Sequence, residues 1–398
     1  MNNKRPLTQM QKSLISINDL LINRRINGQT ILLVFYLMFW ISCDINSSSH
    51  NTIPSISKIS AEPYSIEPGG ISIVTCFATD GDGDSLTYLW SATCGSIRGV
   101  GSIVTYTASM TEEICIIVCT VSDSNGGEDS QSISIITVSQ SLDWVTVPAG
   151  PYTFGIYDEV LNDIDYDFQI MKFEVTNIKY IQYLAEALAL GNITVTSTNI
   201  QGPYEGDEIY SAGNQMYLDM TEPSLISWDG NSFSIVPGYE NHPVVFVTWF
   251  GAIAYAKHYN LKLPSDHEWE KAARGNTGYE YSWGNDIDGS RCNYLNSNDP
   301  YEKENWAVQP QTTPVGYYNG SNYNGFQTLD SPSQYGVYDM TGNVYEWCNS
   351  WYNISYSYRG FRGGAWISVT NNLPSWVQYG TYPHNGYIAI GFRCINSN

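Results

Sequence analysis

The sequence predicts an α+β chain: an all-β sandwich near the N-terminus, then a larger domain of short strands, three helices and long loops. Three observations carry this. Residues 54–139 hold short runs of alternating apolar and polar residues separated by turn signals, the pattern of half-buried strands. Three later segments combine helical apolar spacing with a capping residue at their start. The remainder, above all beyond residue 280, is dense in Tyr, Trp, Asn and Gly. The chain has 31 Tyr, 12 Trp and 34 Gly, which suits strands, turns and loops better than a helical bundle.

A length of 398 residues leaves room for two or three domains and a sizeable core. Eighteen Lys and Arg against 39 Asp and Glu give a formal charge of −21. That balance argues against a nucleic-acid partner, since phosphates must be met by cationic side chains. It is compatible with divalent-cation binding and with life outside the cytoplasm, although surface acidity also serves solubility alone.

Residues 1–43 read as a signal or lipoprotein-type segment. Arg24 and Arg25 precede an apolar run of 12 residues, Ile31 to Ser42. Such a run is too short for a comfortable membrane span and fits the apolar core of a signal peptide. It ends at Cys43, and a small residue before a Cys resembles a bacterial lipoprotein cleavage site. Cys43 is therefore the expected lipidation point, tethering the mature chain to a membrane of the cell envelope. An uncleaved anchor or an ordinary signal peptide are the alternatives. Residues 44–53, rich in Ser and Asn, read as a flexible linker.

In the stretch 54–139 the strand-like runs are 71–79, 86–90, 102–108, 114–122 and 132–138. Cys76, Trp90 and Cys119 follow the Cys…Trp…Cys order of immunoglobulin-type domains. Period-two alternation puts Cys115 and Cys119 on one face. The expected disulfides are Cys76–Cys119 between the sheets and Cys94–Cys115, but four cysteines allow three connectivities and the pairing stays open. The loop following Ala78 resembles the Asp/Gly turn of cadherin-like and polycystic-kidney-disease modules. Asp80, Asp82 and Asp84 offer oxygen ligands there, yet Ser85 and Ser91 stand where an EF-hand loop needs Gly and Glu. A solvated turn is the preferred reading, and the domain reads as a spacer or adhesion module.

The second domain, 141–398, opens with the strand-like WVTVPAGPYTFG (144–155). An alternating run in FQIMKFEVTN leads to Thr176, an N-cap, after which Ile181, Leu184, Ala185 and Leu188 recur at helical spacing until Gly191. A second helix is expected from Thr248 to about His258. A third opens on a capping box, Ser265 with Glu268, and stops at Gly275. Trp269 is expected to pack, and Glu270 and Arg274 to hold loops together.

Six further strings then fall in order: HPVVFVTW (242–249), LPSDHEWEKAARG (263–275), YSWGN (281–285), YGVYDMTGNVYEW (335–347), RGGAW (362–366) and GFRC (391–394). Together with FEVTN they resemble the formylglycine-generating enzyme family, also called sulfatase-modifying factors. The resemblance covers about 250 residues and implies a C-type-lectin-like fold with little regular secondary structure. By the family's pattern, one calcium would be held by Asp339, the carbonyls of Gly342 and Val344, and Glu346. Hard cations take such oxygen donors. A second site would use Asn293 and the Tyr294 carbonyl, but the Asp that completes it is not found in 305–316.

The family's chemistry oxidises a substrate Cys with O₂, using two cysteines five positions apart that bind Cu(I). Soft thiolates suit that ion. Here no Cys lies between Arg362 and Cys394, and Leu373 and Gln378 fall roughly where the pair would be. Tyr345 replaces the family's Trp. The His-x₃-His-x-Glu motif of iron-dependent branches is also missing from the five histidines. The sequence expectation is thus a calcium-stabilised binding or scaffolding domain for a protein or glycan ligand, with copper not expected. The alternative is a divergent oxidoreductase acting on a protein or peptide. Cys292–Cys348 is a conceivable further bridge.

Overall fold

The computed structural model describes residues 51–139, 142–156, 161–221, 223–302 and 309–396. Cys43 and the rest of the expected signal segment lie outside the described residues. From Ile53 onward the chain forms one compact unit.

Residues 55–137 make two four-stranded sheets. One has the order 55–62, 71–79, 103–107, 96–98, and the other 65–66, 128–137, 113–122, 87–92. Alternation does the sorting: Val74, Cys76, Val104 and Tyr106 from one sheet meet Cys115, Ile117, Cys119 and Val121 from the other in a shared core. Cys94 and Cys115 form a disulfide. The expected Cys76–Cys119 bridge is corrected: both are free thiols, hydrogen-bonded one to the other. The two are 3% and 0% exposed and pack in the shared core as small apolar side chains. Trp90 sits at the rim, where its indole N–H donates to the Gly101 carbonyl at 2.9 Å. In the loop after Ala78, the Asp80 carboxylate accepts the backbone N–H groups of Asp82 and Asp84 at 3.0 and 3.1 Å, which makes an Asx-type turn.

The end of the sandwich packs on the second domain. Ile136 and Val138 belong to the larger core of that domain, and the Lys179 ammonium donates to the Ser139 carbonyl at 3.0 Å. A three-stranded sheet of 144–147, 168–171 and 395–396 closes the domain by joining its first and last segments.

The three helices stand where the caps place them. Helix α1, Asn177–Ala189, is capped by Thr176; α2, Trp249–His258, by Thr248; α3, Asp266–Arg274, by Ser265 with the full capping box to Glu268. A four-stranded sheet of 378–381, 358–362, 345–353 and 390–391 packs beside α3. The Glu270–Arg274 pair does hold loops: Glu270 accepts the Gly155 N–H at 2.8 Å and Arg274 donates to the Gly155 carbonyl at 2.9 Å.

Helix α2 also carries a close approach that no propensity scale would show. A Cβ on Gly251 would collide with the Tyr217 carbonyl and the Tyr180 hydroxyl. Helix propensity alone makes Gly→Ala worth about 1 kcal/mol of stabilisation. Overpacking against backbone outweighs that gain, so Gly251→Ala is expected to destabilise by about 2 kcal/mol. A urea titration of the variant checks the sign; a stabilised protein would refute the packing argument.

Candidate functional site

The candidate site is built where the segment 168–176 passes under the turn 338–346. Asp339, Gly342 and Asn343 all adopt positive φ, at 59°, 87° and 59°, so the turn winds tightly. A Cβ at Gly342 would strike the Asn293 carbonyl, and only glycine suits that conformation and that contact. The turn is pinned from outside: Tyr338 N–H donates to Lys172, Gly342 to Gly363 and Asn343 to Asn293, all at 3.0 Å or less.

Four ionisable side chains converge beneath it, Glu174, Asp339, Glu346 and Arg393, with exposures of 1%, 7%, 0% and 0%. Arg393 grips Glu346 bidentately, with Nη2 to Oε1 and Nε to Oε2 both at 2.7 Å. The Trp269 indole N–H adds a third bond to Glu346 Oε2 at 2.9 Å. The other two carboxylates are less well served. Asp339 Oδ2 accepts the Gly316 N–H at 2.6 Å, and Glu174 Oε1 accepts from the Asn343 amide at 3.1 Å. No N–H or hydroxyl donor reaches Glu174 Oε2, and the Glu174 and Asp339 carboxyls lie within hydrogen-bond reach of each other. Burial first, and then the neighbouring Asp339 charge, pushes Glu174 well above the ordinary carboxylate range. Burial likewise raises Asp339.

These donors fit a hard divalent cation. Two touching buried carboxyls are relieved either by a shared proton or by a cation between them. Among the described residues, the Gly342 carbonyl in the same turn accepts no hydrogen bond. Val344 is fully buried next to it. Of Asn293 and Tyr294, expected at a second site, Asn293 packs against this turn through its carbonyl. Their polar groups serve the protein itself: the Asn293 amide donates to the Gln311 carbonyl at 2.8 Å, and the Tyr294 carbonyl accepts from Ser297 at 3.0 Å. Residues 303–308, part of the segment that would complete that site, lie outside the described residues.

The positions where the thiol pair was sought are filled by packing. Leu373 is fully buried against Gly364. Gln378 lies across the strand pair from Arg362 and donates to Asp266. Tyr345 is fixed through its hydroxyl by Ser368 at 2.9 Å. Cys292, Cys348 and Cys394 are free, unbridged and buried, at 2%, 0% and 0% exposure. Burial raises all three thiols well above their ordinary range, the opposite of an activated thiolate. The described histidines stay apart: His242 bonds Thr312, His258 bonds Glu186, His267 bonds Tyr152 and His384 stacks on Tyr382.

Glu174, Arg393 and the polar role of Trp269 were missed by sequence reasoning. One signal was present. In FEVTN, a Glu stands between the apolar residues Phe173 and Val175, and a buried acid needs a partner.

Residues 133–398, about two thirds of the chain, match the family model described as the sulfatase-modifying factor enzyme 1-like domain. The formylglycine-generating enzyme of Streptomyces coelicolor is 30% identical over 257 residues, 58% of this chain and 78% of that protein. The serine/threonine-protein kinase Pkn1 of Chlamydia trachomatis is 36% identical over 208 residues, 48% of this chain. The chain spans only 29% of that kinase's length. The inactive C-alpha-formylglycine-generating enzyme 2 of Bos taurus is 33% identical over 161 residues, 39% of this chain and 50% of that protein. Among solved structures, PvdO of Pseudomonas aeruginosa is 21% identical with a TM-score of 0.45, covering 66% of this chain and 96% of its own. With a matched domain that reaches from the last sandwich strand to the C-terminus, this chain belongs to the sulfatase-modifying factor enzyme 1-like family.

Proposed function

We propose that this is an exported envelope protein, lipid-anchored at Cys43, whose C-terminal domain is a calcium-stabilised binding or scaffolding module for a protein or glycan ligand. The sandwich, read as immunoglobulin-like, serves as its spacer. One observation carries the non-catalytic reading: every cysteine described in the C-terminal domain is buried with a raised thiol pKa. Cu(I) chemistry at a substrate thiol needs accessible soft thiolates, and Leu373 and Gln378 offer none. A relative named as inactive agrees with loss of the chemistry on this fold, and fold does not carry function by itself. Exposed Tyr352, Tyr356, Tyr382 and Tyr387, 40–66% accessible, supply the amphipathic rings that recognition surfaces favour.

The match to the Streptomyces enzyme over most of its length favours a second reading, a divergent oxidoreductase. Metal content separates the two. The full chain, purified after export and dialysed without chelator, is expected to carry about one calcium, as a hard oxygen site takes, and neither copper nor iron. Stoichiometric copper by mass spectrometry would reverse the preference.

A further inference from the structure

We propose that the cleft between α1, the end of α2 and Trp144 binds a free amino acid with an apolar side chain, its ammonium on Glu186 and its carboxylate toward Lys179. None of the residues lining the cleft belongs to the turn 338–346, and the proposal stands apart from the calcium reading. The cleft encloses about 430 Å³, within the range of small-molecule sites. Its first feature is a pair of opposite charges on one helix face. Lys179 and Glu186 both line it and stand two turns apart on α1, roughly 10 Å along the axis. They do not pair with each other: the Lys179 ammonium is 4.0 Å from Glu112, and Glu186 is 2.8 Å from His258. Their side chains are 17% and 27% exposed, so both are reachable from solvent.

The second feature is how Glu186 is held. Its Oε2 accepts from His258 Nε2 at 2.8 Å and from the Tyr259 hydroxyl at 3.1 Å, and its Oε1 accepts from the Gln182 amide at 3.0 Å. Burial opposes the charge, but these bonds outweigh burial and hold the carboxyl below its ordinary range. A carboxylate has about four acceptor positions, and these bonds fill three of them among the described residues. The fourth, on Oε1, is the position left for an ammonium. The third feature is the wall. The Tyr255 and Tyr259 rings meet edge to face at 4.9 Å, and with half-buried Trp144 they line the same cleft. Aromatic faces favour an ammonium, and Leu261 extends the apolar surface that a hydrocarbon side chain would cover. A simple anion would be repelled by Glu186 and a simple cation by Lys179. A molecule carrying both charges on an apolar body matches all three features.

The test is calorimetric titration of the full chain with L-leucine and L-phenylalanine, with their amides, which lack the carboxylate, and with their deaminated acids, which lack the ammonium. At least one of the two amino acids is expected to bind, one per chain, and its single-charge analogues at least about tenfold more weakly. Lys179→Met should bring the amide level with the amino acid, and Glu186→Gln should do the same for the deaminated acid. Glu186 also anchors His258 and Tyr259. Should Glu186→Gln fail to fold, Lys179→Met and the wild-type probe series decide the matter. Failure of both amino acids to bind wild type at millimolar concentration overturns the proposal. So does equal affinity for an amino acid and its analogues, or binding that Lys179→Met leaves unchanged.

Discussion

Replacing Arg393 by Met is expected to cost about 3–5 kcal/mol, enough to unfold a marginal domain, because it strands a buried charge. Arg393 is 0% exposed and makes five hydrogen bonds, the full complement of its donors. Two go to Glu346. Three go to the carbonyls of Met171, Lys172 and Tyr338, which join the strand entering the site to the turn that leaves it. Met fills similar volume but returns none of these bonds. Lys is no substitute, since its ammonium lacks the planar fork that matches a carboxylate at two points. The check is a urea titration of Arg393→Met alone, Glu346→Gln alone and the double variant. The double variant should be less damaged than the sum of the singles, since removing both partners leaves no bare charge. A loss below about 1 kcal/mol in Arg393→Met would mean the pair is far better hydrated than its burial indicates.

The contrast between Arg393 and the helices shows how much could be read from sequence. Thr176 and Ser265 were legible as caps, and Thr248 as a helix start, because capping is settled within four residues of chain. The strands of the sandwich were legible for a similar reason: burial alternates with period two, and the run 71–79 appears with those bounds. The turn 338–346 was legible through the resemblance of YDMTGNVYEW, and its positive-φ positions make it tight. The ion network was not legible, since Arg393 meets Glu346 across 47 positions and Met171 across 222. Nothing local announces such partners. The same holds for Cys76 and Cys119, whose apposition follows from sheet packing while their redox state does not follow from order along the chain. Glu174 lies between these cases. Its burial was readable from its apolar flanks, but its pairing with Asp339 emerges only from the fold.

Trp269 sets the second large expectation. It lies at the centre of α3, fully buried, with Gly363 close enough that a Cβ there would sit 3.2 Å from the ring. Trp269→Ala should cost about 3–5 kcal/mol through lost burial and an incompletely collapsing cavity. Trp269→Phe keeps most of the apolar contact and removes the indole N–H that Glu346 accepts, so about 1–2 kcal/mol of the loss should remain. Glu346 stays neutralised by Arg393 in both variants, and this separates packing from electrostatics. Denaturant midpoints at unchanged m-value give the comparison. On the calcium reading proposed above, the two variants should also differ in calcium affinity. Glu346 orients Arg393, and Arg393 binds the Lys172 and Tyr338 carbonyls, each close in sequence to a carboxylate of the Glu174–Asp339 pair. A cavity at Trp269 loosens that chain of contacts, whereas a missing N–H leaves it in place. Trp269→Ala is therefore expected to weaken calcium binding more than Trp269→Phe does. Equal affinity in the two would show that the cation site is held independently of the helix, by the turn alone.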